Sequence, residues 1–537
     1  MQNAAAAGLI LAYFWWFAGP WIWAGFTPDD LMNCHRALER PFGQLLLDHL
    51  TVFLPASELR PLGSLFYLVL YRSFGFHSFP FHLVLYTVLV ANLLLTYLAV
   101  HRLTEVTSAA WIATIFHAWH GNWKIIDLSV GFCFDVLCYF CYVTALIAFG
   151  AGRLWLFLGL YMLSMNAKEI AVSLPVVCLV WKGWECRRSA SAVIVAGLLT
   201  ASFIGGRLLS RQGLAEIEPY SPHIDLTTFL TRVSAFLDMA AYGHGRLIWA
   251  VLILGAATAW SLIYHRRAAV VSLVVLIAGV LPVAFIPQRS LEAVYVPSLG
   301  AVTLLALPLS ALFARPVPAV VAAMLLAGTF HHLRRDRHPE VHLAEACHIA
   351  EVVAQLRRAA PCLPPGAHVL FERDPFPQFD WNSLFLIHLV YNDLTMIVHR
   401  PGRPAYRRTT TSYSTGMPMA VGQATSESCG AGTPNLRAPT ARQSICPQNN
   451  RVPRQTSSAI STNLMQSCAP MRHVPCVLRS GDRISGADWP LDAMRQVCPV
   501  VNEMLQGNRA LVAYVTEFRH LLCLPQMVQS SFGVTPS

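Results

Sequence analysis

The sequence Phe26-Thr27-Pro28-Asp29-Asp30-Leu31-Met32-Asn33 follows directly on an apolar run from Ala4 to Gly25. That run is about long enough to cross a lipid bilayer, so the carboxylates of Asp29 and Asp30 stand where it should leave the membrane. Proline followed by two acids is also an ordinary helix-start signal. Two interpretations follow: a polar helix boundary, or a catalytic base with its neighbour at a membrane-surface active site.

The composition of the chain predicts a polytopic membrane protein. Of 537 residues, 55% are hydrophobic and 13% are charged, and the mean hydropathy is +0.47. Soluble domains carry roughly 25% charged residues. The formal net charge is +10, and the basic residues fall mostly in short clusters between apolar runs. This placement indicates membrane topology rather than nucleic-acid binding, because no basic and aromatic side chains alternate on a soluble domain.

Apolar periodicity and length predict an all-α fold with about eleven transmembrane helices. Two further apolar segments, Phe42–Leu54 and Leu62–Phe74, are short, and we expect helices that lie at the membrane surface or insert halfway. The eleven predicted spans are Ala4–Gly25, Phe81–Val100, Ser108–Trp119, Val130–Gly150, Leu154–Ser164, Ile170–Trp181, Ala190–Leu209, Leu247–Tyr264, Ala268–Ile286, Val294–Phe313 and Pro318–Phe330.

The distribution of basic residues predicts the orientation of these spans. With the N-terminus inside, the inner loops contain His101-Arg102, Arg153, Lys182 with Arg187-Arg188, His265-Arg266-Arg267 and Arg315, as the positive-inside rule requires. The basic cluster His331–Arg335 is an exception, since it falls outside.

The chain is expected to have three parts. These are a transmembrane domain at 1–330 with a first outer loop at 26–80, a small extracytoplasmic α/β segment at 331–400, and a tail at 401–537. Within the α/β segment, we predict a helix at Pro339–Ala359 and strands at His368–Phe371 and Thr395–Val398.

Four polar groups converge on the predicted outer surface. They are Asp29-Asp30, Asp135, Lys168-Glu169, and Arg289 with Tyr295. Each also has a structural explanation. Asp135 could cap a helix, Lys168 and Glu169 could pair with each other, and Arg289 could bind a lipid headgroup. Charged residues near membrane depth are costly and usually functional, so their occurrence together favours a functional site.

These residue types suit the transfer of a sugar from a polyprenyl phosphate. The acceptor hydroxyl needs a base, for which glycosyl chemistry typically recruits carboxylates. The leaving phosphate needs cations, which Lys168, Arg289 and Arg60 offer, or a metal ion. If a divalent cation is the cofactor, Asp30 and Asp135 are its candidate ligands.

An ordered set of motifs over roughly residues 5–330 resembles the GT-C superfamily of membrane glycosyltransferases. Within it the chain is similar to bacterial relatives of the protein O-mannosyltransferases and of the transmembrane O-mannosyltransferase-like proteins. The matching motifs are Asp29-Asp30-Leu31-Met32-Asn33, Arg60-Pro61-Leu62-Gly63, Phe116-His117, Ser129-Val130-Gly131-Phe132-Cys133-Phe134-Asp135, Lys168-Glu169 with Leu174-Pro175, and Tyr295-Val296-Pro297-Ser298-Leu299-Gly300.

The resemblance implies an inverting transfer from a lipid-phosphate sugar donor at an active site on the extracytoplasmic side of a bacterial inner membrane. It implies catalytic roles for Asp29 or Asp30 and for Asp135. Arg60, His117, Lys168, Glu169, Arg289 and Tyr295 become candidate substrate-binding residues. The acceptor, a protein or a glycan, stays open, because Ala118 replaces the proline that follows this histidine in many relatives and the helical repeats of eukaryotic relatives are absent.

Two other classes of protein compete with a glycosyltransferase. A transporter or flippase tends to show internal repeats and polar groups at mid-bilayer, whereas here no repeat is evident and the acids cluster at one predicted surface. A non-catalytic membrane scaffold would not need the acids.

The tail at 401–537 carries our first testable prediction. It has almost no apolar periodicity, and six of the 14 cysteines fall in it without metal-site spacing. A disordered extension, a disulfide-bonded module and a frame-shifted reading all explain it, and we favour the frame shift. The coding DNA, read one base over from near codon 400, should then continue the strand and helix pattern. Stop codons throughout the other frames, with protease resistance of 401–480 as a compact unit, would instead establish a genuine domain.

Overall fold

The computed structural model describes most of the chain before residue 401. The described residues are 1–51, 53–54, 60–118, 124–183, 187–209, 222–240, 247–287, 290–333, 338–371, 374–376 and 381–400. Arg289 and the whole tail at 401–537 lie outside them, so the predictions for both remain untested.

The first part of the fold is a long apolar helix followed by three shorter helices. They are α1 (Gln2–Ala18), α2 (Pro28–Glu39), α3 (Phe42–Leu50) and α4 (Pro61–Phe74). A 3₁₀ turn, Gly19–Trp23, extends α1. The helices α3 and α4 coincide with the two segments predicted as surface or half-inserted helices, and both are shorter than the roughly 20 residues of a full crossing.

Twelve helices make up the remainder of the predicted transmembrane domain. They are α5 (Ser78–Thr104), α6 (Thr107–Ala118), α7 (Lys124–Leu128), α8 (Cys133–Gly150), α9 (Leu154–Ala167), α10 (Leu174–Cys178), α11 (Arg187–Leu209), α12 (Leu226–Ala240), α13 (Leu247–Tyr264), α14 (Arg266–Val280), α15 (Ser298–Ser310) and α16 (Pro316–Leu333). The helix α12 lies between the predicted spans Ala190–Leu209 and Leu247–Tyr264, in a segment for which no helix was predicted. Its apolar positions alternate with threonine and arginine, which hid it from a search for continuous apolar runs.

Six helical segments within the described residues are long and apolar enough to cross a membrane, which supports an integral membrane protein. They are Gln2–Trp23, Ser78–Thr104, Val130–Gly150, Ser189–Arg207, Leu247–Tyr264 and Arg266–Val283. Other predicted spans are helical but shorter, among them Leu154–Ala167, Glu169–Trp181, Ser298–Ser310 and Pro316–Thr329. The predicted total of eleven therefore rests on these short helices crossing as well.

The last described part combines helices with two short parallel strands. It contains α17 (His338–Ala359), β1 (His368–Leu370), α18 (Asn382–Tyr391) and β2 (Ile397–His399), and we call these residues, 338–400, the C-terminal unit. The strand β1 pairs with β2 in parallel, with His368 opposite Ile397. Each strand lies within two residues of its predicted position. Leu384, Ile387, Met396 and Val398 form a small apolar core beneath them.

A glycine lets the first loop pack closely on the helix bundle. A Cβ atom on Gly63 of α4 would lie 2.0 Å from the ring of Phe134 on α8, so no larger residue fits without displacing that ring. The same ring packs near Tyr67, at 6.4 Å between ring centroids, and beneath the guanidinium of Arg60 at 5.6 Å. Phe134 therefore joins α4 to the start of α8.

The predicted topology can be tested at exposed positions. A cysteine replacing Asp225 should react with a membrane-impermeant maleimide in intact cells, because the positive-inside rule puts that loop outside. Cysteines replacing Arg153 or Arg266 should react only after permeabilisation. All three native side chains are exposed, so burial cannot explain a difference in labelling. The reverse pattern would overturn the orientation.

Candidate functional site

The two adjacent acids at the start of α2 have different environments. Asp30 is fully buried, whereas Asp29 is exposed. The helices around Asp29 nevertheless partly exclude water and raise its pKa, an effect that the nearby His342 on α17 opposes. The two interpretations of this pair are therefore not exclusive: one carboxylate builds the helix boundary, and the other is available for chemistry.

The carboxylate of Asp30 accepts three hydrogen bonds. One oxygen accepts from the backbone N–H of Thr27 at 2.7 Å and from its hydroxyl at 2.9 Å, and the other accepts from the hydroxyl of Tyr67 at 3.1 Å. The bond to the N-cap backbone is one half of a capping box. Burial raises the pKa of Asp30 to about 7, although these three bonds lower it.

Ser129 extends this network to the chain just before α8. Its hydroxyl lies 3.0 Å from that of Thr27, and it accepts from the backbone N–H of Gly131 at 3.2 Å. A Cβ atom on Gly131 would lie 3.4 Å from both the Cβ of Asp29 and a carboxylate oxygen of Asp30. The two sequence motifs that contain these acids and this glycine, about a hundred positions apart, therefore meet in the structure.

Two ion pairs lie close to Phe134, one through Arg60 and one through Asp135. Lys168 pairs with Asp135, and both side chains are 4% exposed. Arg60 pairs with Glu169 through its Nε at 3.2 Å and its Nη2 at 2.9 and 3.0 Å, and their side chains are 21% and 19% exposed. Lys168 and Glu169 thus bind different partners, so the explanation that they simply pair with each other is wrong.

Glu292 is a third acid near these ion pairs that the sequence analysis did not select. It lies in the 3₁₀ turn Leu291–Tyr295, is half-buried, and has a pKa raised by burial, with Asp135 adding to the rise and Lys168 opposing it. The sequence signal was available, because Glu292 stands in the outer loop between the selected Arg289 and Tyr295.

His117 and Tyr295 lie deeper, in an aromatic cluster. Both are buried, and the ring of His117 stacks 4.4 Å from Tyr139 and 4.8 Å from Tyr295. The Nδ1 atom of His117 lies 3.2 Å from the hydroxyl of Ser298. These contacts are ring packing and one hydrogen bond within the protein, and a role of the two residues in substrate binding stays a prediction.

The candidate metal ligands do not form a cation site of their own. Both oxygens of Asp30 accept hydrogen bonds from protein groups, and Asp135 pairs with the ammonium of Lys168. In the part of the chain that the structure describes, no three His, Cys, Asp or Glu side chains are grouped to hold a metal ion. Protein donors therefore occupy Asp30 and Asp135 in place of a divalent cation.

Comparison of the sequence with protein-family models finds no match, and comparison with curated proteins finds no relative. The likeness to GT-C glycosyltransferases therefore rests on the motifs quoted above.

The buried ion pair gives a prediction for stability. Replacing Lys168 with methionine leaves the carboxylate of Asp135 buried without its cation, and we expect a loss of about 3–5 kcal/mol in unfolding free energy. The double change Lys168→Met with Asp135→Leu should recover most of this loss, because an apolar pair needs no compensating charge. Thermal unfolding in detergent measures both. If the single and the double change lower the unfolding free energy equally, the unpaired charge of Asp135 is not the cause of the loss.

Proposed function

We propose that the protein is a membrane glycosyltransferase that moves a sugar from a polyprenyl-phosphate donor to an acceptor hydroxyl. The observation that carries the proposal is that Phe134 packs against both Arg60 and Tyr67, and that Tyr67 is hydrogen-bonded to Asp30, the neighbour of the exposed Asp29. This arrangement supplies a base and a phosphate contact to the same small region.

Asp29 is the better candidate for the base. Its side chain is exposed, whereas both oxygens of Asp30 are engaged by protein donors. In the proposed step, Asp29 takes the proton of the acceptor hydroxyl, whose oxygen forms a bond to the anomeric carbon. The bond from that carbon to the phosphate oxygen breaks, and the polyprenyl phosphate leaves with the electron pair. Attack opposite the leaving group inverts the anomeric centre.

Arg60 is the better candidate for the phosphate contact. Its Nε and Nη2 donate to Glu169, which fixes the plane of the guanidinium, and among the described residues no acceptor bonds to its Nη1. A partly exposed guanidinium held in this way can donate to a phosphate oxygen. Lys168 is less suited to this role, since it is buried against Asp135.

The orientation of the site completes the proposal. The basic residues of the other loops support an extracytoplasmic position for Asp29, Asp135 and Lys168 by the positive-inside rule. At that surface of a plasma membrane, the lipid of the donor would lie in the bilayer and its sugar at the surface. A protein or a glycan would be the acceptor.

The direct test uses purified protein in liposomes with a polyprenyl-phosphate mannose donor and a panel of peptide and glycan acceptors. Mass spectrometry should show loss of the donor, release of polyprenyl phosphate and a gain of one hexose on an acceptor. Movement of the donor lipid between leaflets without its consumption would instead favour a flippase.

The two acids should respond differently to mutation. Asp29→Asn should lower transfer by about a hundredfold or more, the scale of lost general-base catalysis, with an unchanged unfolding temperature. Asp30→Asn should lower the unfolding temperature, because an amide has one acceptor oxygen and cannot accept from both Thr27 and Tyr67 as the two carboxylate oxygens do. Glu351→Gln, at an exposed acid of α17, is the matched control. Full activity of Asp29→Asn and of the double variant would refute the assignment.

A further inference from the structure

We propose that the C-terminal unit is a positioning element for the acids at the start of α2, and that the hydrogen-bonded pair His35–His388 is a buried polar contact through which it acts. The proposal rests on the proposed function for its consequence in transfer, but the contact itself can be tested without any activity.

The contact is a direct bond between two buried imidazoles. The Nε2 atom of His35 on α2 lies 2.8 Å from the Nδ1 atom of His388 on α18, and the two side chains belong to residues that are 6% and 3% exposed. The rings lie nearly parallel at 5.1 Å, and Phe385 of α18 packs on His35 at 4.3 Å.

The surrounding groups fix which nitrogen carries the bridging proton. The Nε2 atom of His388 lies 3.0 Å from the carbonyl oxygen of Met396, which can only accept, so this nitrogen is a donor. In the neutral pair, Nδ1 of His388 is then the acceptor and Nε2 of His35 the donor. A further proton can occupy Nδ1 of His35, which lies 3.8 Å from Glu39, without breaking the bridge. Only protonation of both rings removes it.

A second contact with the C-terminal unit lies on the N-terminal side of the two acids. A Cβ atom on Gly25, four residues before Asp29, would lie 2.7 Å from the carbonyl oxygen of Ala346 on α17. Gly25 therefore permits a backbone approach that any other residue would prevent. The C-terminal unit touches the chain on both sides of the two acids, at residues 25 and 35.

Neighbouring bonds hold the C-terminal unit against the rest of the first loop. The hydroxyl of Tyr71 on α4 donates to the carbonyl of Leu389 at 2.6 Å, and Arg357 of α17 donates to the carbonyl of Phe76 at 3.2 Å. From His35 to Asp29 is six helical residues, about 9 Å along the axis. A tilt of α2 at His35 would therefore displace the carboxylate of Asp29 directly.

The first experiment measures the position of residue 29 without transfer. Asp29→Cys is labelled with a charged maleimide in a background where Cys186, Cys347, Cys362 and the six cysteines after residue 400 are serine, which leaves only the buried native cysteines. His35→Leu should change the labelling rate several-fold, and His35→Gln, whose amide nitrogen can still donate to His388, should restore it. His368→Leu is the matched control, because His368 and His399 form an exposed pair at 3.2 Å between β1 and β2.

A second variant guards against a loss of folding in His35→Leu. Gly25→Ala should shift the labelling rate by moving α17, whereas Gly43→Ala in α3 should not, because nothing lies within 4 Å of an added Cβ there. Unchanged labelling in both His35→Leu and Gly25→Ala would overturn the proposal.

The consequence for transfer separates this proposal from the proposed function. With Asp29 intact, His35→Leu should lower kcat by about tenfold or more with an unchanged KM for the donor, because a misplacement of about 1 Å can cost about a hundredfold. His35→Gln should recover most of the activity. If labelling responds as expected but the unaltered protein transfers no sugar, the positioning contact stands and the proposed function fails. If labelling responds and kcat does not, the C-terminal unit does not position the acids for catalysis.

Discussion

The start of α2 depends on the buried carboxylate of Asp30. A buried polar group is stable only with its hydrogen bonds satisfied, and Asp30 obtains them from its own N-cap residue, Thr27, and from Tyr67 on α4. Because Ser129 joins the same set, one carboxylate fixes three segments relative to each other: the end of the first span, the first loop and the start of α8. These hydrogen bonds also fix the position of Asp29, whose own side chain stays exposed.

The acids of the ion pairs offset the positive charge of Arg60 and Lys168. Arg60, Lys168, Glu169, Asp135 and Glu292 together carry two positive and three negative formal charges, so the described cluster is not a strong phosphate site through net charge. Attraction of a phosphate would have to come from directed donors, such as the Nη1 of Arg60. The paired acids are better understood as groups that hold the cations in fixed orientations.

Much of the helical framework could be predicted from apolar runs, and the site residues from polar positions between them. The strong signal at Val130–Gly150 reappears unchanged as a candidate span. The sequence does not show which partner each charged residue binds. Lys168 and Glu169 are adjacent, but α9 ends at Ala167 and a 3₁₀ turn begins at Glu169. Their side chains therefore reach different partners, Asp135 and Arg60. Because the helix is interrupted there, two long-range ion pairs form instead of the expected Lys168–Glu169 pair. Tyr67 and His388 were not predicted as site residues, because a tyrosine or a histidine in an apolar helix carries no local sequence signal of the partner that it binds in the folded protein.

The short apolar helices explain how charged residues can lie below a membrane surface. Leu154–Ala167 ends beside Lys168, Glu169–Trp181 begins at the acid that holds Arg60, and Ser298–Ser310 begins three residues after Tyr295. A helix of 14 residues is about 21 Å long, roughly 9 Å less than the hydrocarbon core. If these helices reach the opposite surface, their ends at the site stop within the bilayer, where irregular backbone is tolerated only inside protein. Under the proposed function, the space beyond these helix ends is the site, and the short helices leave room for it.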